Sequence, residues 1–162
     1  MNPPALERFL TYRLHVLNKI TDRDTNRAYL EDCGIPLGEA RCLAAIGRYA
    51  PLSVNDLARA ANLNKGQASR SAQALVDRGL VEKTMSASDG RGVVLAPTPA
   101  GLAQYQRVID LIAQRNEEIF GCLSADEQRQ LGDMLDRVIG HLQPDADGAQ
   151  DLLAPAPPQD TR

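Results

Sequence analysis

The sequence predicts a mainly α-helical protein with one small β-hairpin, and three observations carry that prediction. Most of the chain repeats its apolar residues every three to four positions, the spacing of an amphipathic helix. Residues 80–97 alone switch to short β-prone runs. Four of the helical segments are preceded by a hydroxyl or amide residue at a helix-start spacing: Ser53, Asn64, Thr98 and Ser124. The 162 residues amount to about one domain. With 43% hydrophobic and 24% charged residues, the composition is that of an ordinary globular protein.

Residues 5–30 read as one long helix, with Leu6, Leu10, Leu14, Leu17 and Ile20 recurring on one stripe. Gly34-Ile35-Pro36 breaks it. A second helix spans about 38–49 through Ala40, Leu43, Ala44 and Ile46, and Pro51 closes that region. Ser53, with Asp56 three residues on, caps a short helix over Val54–Ala60. Asn64 and Gln67 repeat the device and open a helix to Arg78, which Gly79 stops. Ala61–Leu63 is then the turn of a helix-turn-helix. Leu80–Thr84 and Val93–Pro97 pair around the polar, glycine-rich segment 86–92, forming a wing directly after that motif. Thr98-Pro99 starts a long helix to about Phe120, and Ser124-Ala125-Asp126-Glu127 caps a last one to about Leu142. From Gln143 onward Pro, Ala and Asp dominate, so 143–162 is expected to be a disordered tail.

Charge narrows the function classes. The net −3 comes from Gln143–Arg162, which holds four acids (Asp145, Asp147, Asp151, Asp160) and one base (Arg162). The totals of 21 acids and 18 bases therefore leave 17 of each in residues 1–142. Within that neutral body, Arg48–Arg91 carries seven bases against four acids, a pointer to a polyanion partner. Cys33, Cys42 and Cys122 are scattered and odd in number, and His15 and His141 lie far apart. Both facts argue against a disulfide framework and a zinc site. No nucleophile–base pair or phosphate loop is present, so neither an enzyme nor a cofactor is expected. No apolar run reaches the ~18–20 residues that span a bilayer. The start, Met1 to Arg8, lacks a basic segment followed by an apolar core. The expectation is a cytoplasmic protein with no membrane partner.

A helix-turn-helix reads DNA by laying its second helix in the major groove. Here Ala68, Ala72, Leu75 and Val76 form the back of that helix, while Gly66, Ser69, Arg70 and Gln73 share the opposite face. Asn64, Lys65 and Gln67 lie at its amino end, where base edges are usually met. Arg70 is suited to guanine, and Gln73 or Gln67 to adenine. Ser53 and Asn55 are placed for phosphate. At the wing tip, Ser88 and Arg91 are placed for the negative minor groove, with Asp89 orienting the Arg91 guanidinium.

This order of elements resembles the MarR family of bacterial transcription regulators. The residues carrying the resemblance are Leu57-Ala58, Ser69-Arg70, Leu75-Val76-Asp77-Arg78-Gly79-Leu80-Val81, Asp89-x-Arg91 and Thr98-Pro99-Ala100-Gly101, within about residues 5–142. Gly90 stands where a second arginine is common, Pro97 replaces the usual leucine, and Gly66 weakens its helix by up to ~1 kcal/mol relative to Ala. The resemblance implies a homodimeric repressor on a pseudo-palindromic double-stranded DNA operator, released by a small aromatic acid effector. Independently, a helix pair as long as 99–142 with continuous apolar stripes needs a partner surface. The chain thus divides into a helical dimerisation region (5–35 and 99–142), a winged helix-turn-helix (36–98) and the tail.

In the family, ligands lodge between the first, second and fifth helices and the DNA-binding lobe. Arg13 sits on the apolar stripe of the first helix, Tyr12 and His15 on an adjacent one, and Arg41 early in the second helix. Together they suit an aromatic carboxylate: an arginine fork for the carboxylate, Tyr12 or His15 for a ring substituent. Each arginine has an alternative in an ion pair with Asp22, Asp24, Glu39 or a partner subunit, and His15 in an interfacial role. Residues 12–17 and 64–70 are similar to the hydroxynicotinate-responsive repressors of nicotinate catabolism, which implies 6-hydroxynicotinate as effector. Two other readings stay open. One is a redox trigger, although Cys33 lies past the expected end of the first helix and Cys42 and Cys122 read as small core residues. The other is a winged helix that binds protein only.

Overall fold

Side-chain caps fix where most of the helices begin. The structure, a computed structural model, describes residues 5–86 and 92–142. A 3-10 turn at Leu6–Arg8 precedes α1 (Leu10–Ala28), which runs into one π-helical turn at Tyr29–Cys33. Then come α2 (Leu37–Tyr49), α3 (Val54–Ala60), α4 (Lys65–Asp77), β1 (Val81–Met85), β2 (Val93–Pro97), α5 (Pro99–Phe120) and α6 (Ala125–Leu142). Ser53 caps α3 through the Asp56 N–H, and Thr98 caps α5 through the Gly101 N–H. Asn64 and Gln67 form a full capping box on α4, and Ser124 and Glu127 exchange the equivalent pair of bonds at α6. These starts and the antiparallel β1–β2 hairpin agree with the sequence reading; the structure adds the register, Lys83 opposite Leu95.

The core gathers around α2. Cys42, Leu43 and Ile46 are fully buried there, with Leu57 of α3, Leu75 of α4, Leu95 of β2 and Val108 of α5. Leu52 adds a third, one-residue strand: its N–H donates to the Leu95 carbonyl at 3.1 Å and its carbonyl accepts from Leu95 N–H at 2.8 Å. Sequence period could not show this, because one residue has none.

The first helix departs from expectation. Phe9 is extended (φ −71°, ψ 132°), so the segment from Leu6 is split rather than continuous. The helix also runs past residue 30, ending where Gly34 turns left-handed (φ 67°). Cys33 therefore belongs to this helical segment and is buried, whereas Cys122, expected in the core, is exposed. Arg13 is not buried in an apolar stripe. It is exposed, and its Nε donates to the Glu7 carbonyl at 2.9 Å. The reason is common to the whole stripe: α1 has no buried residue, and Leu10, Leu14, Leu17 and Ile20 face no other element of the same chain closely enough to be covered.

Gly101 is where α5 meets the base of the wing. A Cβ there would lie 1.8 Å from the Leu80 carbonyl oxygen, which also accepts the Thr98 N–H at 3.1 Å. Gly101→Ala should cost about 2 kcal/mol or more, because backbone must move. Gly79→Ala, strained only by φ 71° with open space around it, should cost about 1 kcal/mol. Thermal melts of the two variants check the order.

Candidate nucleic-acid interface

The geometry of α4 follows from its small back face. Ala68, Ala72 and Leu75 are buried, and Val76 is half-buried against the same core. The opposite side carries Lys65, Gly66, Gln67, Ser69, Arg70 and Gln73, all exposed. A Cβ on Gly66 would stand 3.4 Å from an Arg70 guanidinium nitrogen and 3.4 Å from Asn64 Oδ1. The glycine that weakens the helix therefore leaves room for the arginine to fold across its first turn.

Ion pairing redistributes the basic segment. Arg59 pairs with Asp56 beside the α3 cap. Arg78 Nε lies 2.9 Å from Glu39 Oε2, an ion pair by distance without an aligned hydrogen bond. Arg48 lies over the Tyr49 ring, 5.9 Å from its centroid. Of the described bases in this segment, Arg48, Lys65, Arg70 and Lys83 have no ion-pair partner; with Arg48 over the Tyr49 ring and Lys83 on the Gln73 amide, Lys65 and Arg70 at the amino half of α4 are the ones left to favour a polyanion.

Other predicted contacts are already engaged. The Ser53 hydroxyl accepts the Asp56 N–H at 3.1 Å and donates to Asp56 Oδ2 at 2.6 Å. That hydroxyl, and after it Arg59, holds the Asp56 carboxyl below its ordinary pKa against the opposing effect of burial. Asn64 Oδ1 accepts the Gln67 N–H at 2.8 Å, and Gln67 Oε1 accepts the Asn64 N–H at 3.1 Å, leaving the Gln67 NH2 outside the box. Asn55 is exposed. The amide of Gln73 is held between Lys83 and Asp77. Ser88, Asp89 and Arg91 lie outside the described residues, as does the 143–162 tail.

The four predicted ligand residues do not converge within one chain. Tyr12, Arg13 and His15 are exposed on the first turns of α1. Arg41 meets the same helix at Asp22, 3.0 Å away, nine residues or about 14 Å along the axis from Arg13. That pair is the internal ion pair left open as an alternative. Instead, Arg41 neighbours a residue the sequence reading missed, Tyr29, which is only 4% exposed. Burial, then nearby Cys33, raises the Tyr29 phenol pKa, and the Arg41 and Arg115 guanidiniums oppose the rise. Arg115, on α5, pairs with Glu118, while its buried Nε has no hydrogen-bond partner among the described residues. Its signal in the sequence was the spacing Val108, Leu111, Arg115, which puts the arginine on the buried stripe. A separate cavity of about 470 Å3 opens between α5 and α6, lined by Asn116, Phe120, Gln128, Leu131 and Leu135.

The two buried thiols do not favour a redox trigger. Burial pushes the Cys42 thiol up to about 11, against a weaker opposing hydrogen bond with Ser71. Burial also raises the Cys33 thiol, opposed by Arg107. Among the described residues no cluster of His, Cys, Asp and Glu could hold a metal ion, and no helix is long and apolar enough to cross a membrane.

Residues 34–92 match the sequence profile of the MarR family. The multiple antibiotic resistance protein MarR of Escherichia coli (strain K12) is 28% identical over 127 residues, 78% of this chain and 88% of that protein. Its apo crystal structure superposes with a TM-score of 0.67, covering 81% of this chain and 97% of that one. The PcaV transcriptional regulator of Streptomyces coelicolor, solved with its natural ligand, gives 0.74 at 23% identity over 88% and 100% of the two chains. CouR of Rhodococcus jostii RHA1, solved with p-coumaroyl-CoA, gives 0.75 at 20% identity over 84% and 95%. These last two establish a shared winged-helix fold.

Thiol reactivity tracks thiolate fraction and access. At pH 8, with iodoacetamide and mass spectrometry, the exposed Cys122 should alkylate first. Cys42, protonated until about pH 11 and fully buried, should label only on unfolding. Early labelling of Cys42 in the folded protein would reverse this order.

Proposed function

We propose that this chain is a transcriptional regulator of the MarR family, a reading supported by the family match over residues 34–92 and by the relatives. From that premise we propose a homodimeric, cytoplasmic DNA-binding repressor that a small aromatic carboxylic acid releases from a pseudo-palindromic operator. One observation carries the DNA reading. α4 buries its alanine face and presents Lys65, Gln67, Ser69 and Arg70 outward, with both cations unpaired among the described residues. Arg70 and Gln67 read base edges; Asn64, Lys65, Gly66, Ser69 and Asn55 approach the backbone; the Val54–Ala60 start, capped by Ser53, adds backbone N–H groups. Ser88, Asp89 and Arg91, outside the described residues, complete the proposed set of DNA contacts.

The dimer is supported by apolar surface that one chain leaves uncovered. Neither α1 nor α6 contains a buried residue. Leu6, Leu10, Leu14 and Ile20 stand exposed at one end, and Met134, Val138 and Leu142 on α6. Patches of this kind mark interaction surfaces. Two-fold symmetry then sets the two α4 helices about 34 Å apart, one DNA turn.

The effector enters at the junction of α1, α2 and α5. Arg41 and Arg115 supply the carboxylate fork and Tyr29 faces the ring, while Tyr12, Arg13 and His15 come into play where a second copy covers α1. PcaV and CouR, both crystallised with ligands, have this fold, and the CouR ligand p-coumaroyl-CoA is an aromatic acyl derivative. 6-Hydroxynicotinate is the first compound to test.

Arg70→Ala should weaken operator binding by about 2 kcal/mol, roughly thirtyfold, with the dimer intact by analytical ultracentrifugation. Unchanged affinity would favour a protein-binding winged helix instead. In the same anisotropy assay, an aromatic acid should lower the affinity of the wild type, and Arg41→Ala and Arg115→Ala should lose that response while still binding DNA. If no aromatic acid acts at up to millimolar concentration, the effector clause falls and the DNA clause stands.

A further inference from the structure

Gln73 stands where helical spacing puts a base-reading side chain, yet both ends of its amide are engaged within the protein. Its Oε1 accepts from Lys83 Nζ at 2.6 Å, and its Nε2 donates to Asp77 Oδ1 at 2.7 Å. Lys83 is the middle residue of β1, and Gln73 and Asp77 lie one turn apart on α4. The amide thus sits with a cation on its oxygen side and a carboxylate on its nitrogen side, the orientation both charges favour.

Leu95, buried and paired with Leu52, anchors the hairpin on the β2 side, and β1 has less to hold it. Along β1 only Val81 is buried; Glu82, Lys83, Thr84 and Met85 are exposed. At its base, Thr98 Oγ1 donates to the Gly79 carbonyl at 2.7 Å and Thr98 N–H to the Leu80 carbonyl at 3.1 Å. Further out, the Lys83–Gln73 bond ties the strand to the recognition helix. We propose that Lys83, Gln73 and Asp77 form a strap that fixes the angle between wing and recognition helix, making Gln73 a positioning residue for DNA binding rather than a reader of a base. This rests on the DNA-binding reading above. The three side chains are exposed, so water competes and the contribution to global stability is small. The strap acts instead on the hairpin's local opening.

Amide hydrogen exchange of the free protein tests the strap without DNA. Gln73→Ala and Lys83→Met should each speed exchange of the β1–β2 ladder amides about fivefold, leaving the α2 core amides and the melting temperature unchanged. The double variant should match either single one, because each removes the same bond. Lys83→Arg, which keeps a donor in reach, should retain most of the protection. On operator duplexes, both single variants should weaken binding by a similar few-fold factor. They should leave unchanged the ranking of single-base-pair operator variants and the slope of log affinity against log salt. Unchanged ladder exchange in both single variants overturns the strap. A relaxed preference at one base pair in Gln73→Ala alone makes Gln73 a reader, and a slope reduced by about 0.9 in Lys83→Met makes Lys83 a phosphate contact; either overturns the assignment. If the wild type itself shows no salt-dependent duplex affinity, the DNA reading fails and takes the strap's role in it along, whatever the exchange result.

Discussion

The approach of α4 to α2 and α3 governs the outward polar face of α4. Ala68 and Ala72, at 0% and 1% exposure, are the residues through which α4 meets the core, with Leu75 filling the space between them and Leu43, Ile46 and Leu57. Alanine brings helix axes close and loses no rotamer entropy on burial. The outward residues are then placed by backbone rather than by long, mobile side chains on the inner face. The capping box at Asn64 and Gln67 fixes the amino end of the same helix. Position comes from packing and the start of the helix from hydrogen bonds, so the polar face carries no structural duty at Lys65, Ser69 or Arg70.

The same principle, applied to the other half, gives an incomplete body. The core ends at Val108 and Leu111 of α5, and α6 adds nothing buried. α1 is joined to the rest chiefly through its π-helical end, where Tyr29 and Cys33 enter the core. Gln104 Nε2 donates to the Cys33 carbonyl at 2.6 Å and anchors that turn to α5. A π turn disrupts the regular bond ladder of a helix, and a side chain from α5 supplies one of the missing partners. The long first helix is therefore tied to the rest by a few polar contacts toward its C-terminal end: Gln104 to the Cys33 carbonyl, Arg107 to the Asp32 carbonyl, the Leu37 N–H to Asn26 Oδ1, and Arg41 to Asp22.

Legibility in the sequence divided along the line between local and tertiary chemistry. The start of α3, the Asn64 box, the Thr98-Pro99 start of α5 and the Ser124 start of α6 were all readable, because each cap is complete within four residues. The α4 face was readable because its period is local. The break at Phe9 was not, since the leucine spacing continues through it while the backbone does not. Leu52 joins the sheet through a residue forty-three positions away, Leu95. Arg41 chose Asp22 from several carboxylates by fold geometry alone. Arg115 and Tyr29 looked like ordinary members of apolar stripes until their surroundings were known. Charge counting had the right sign but too broad an address: among the described residues Arg59 and Arg78 pair with Asp56 and Glu39, Arg48 lies over Tyr49 and Lys83 binds Gln73, which leaves Lys65 and Arg70 on α4.

An unsatisfied buried donor costs about 1–3 kcal/mol, and the Arg115 Nε is such a donor in this arrangement. A carboxylate reaching it would recover part of that cost. It shifts the protein toward another arrangement only to the extent that the recovery is greater there. Arg41 adds a second condition, because its guanidinium already holds Asp22 on α1. A ligand carboxylate on Arg41 competes with that link between α1 and α2 and so differs in effect between an attached and a released α1. On the proposed reading, a difference of about 1.4 kcal/mol between the two arrangements changes operator affinity tenfold. That is within reach of one satisfied guanidinium nitrogen and one exchanged ion pair, with no need for a large movement inside the DNA-binding half.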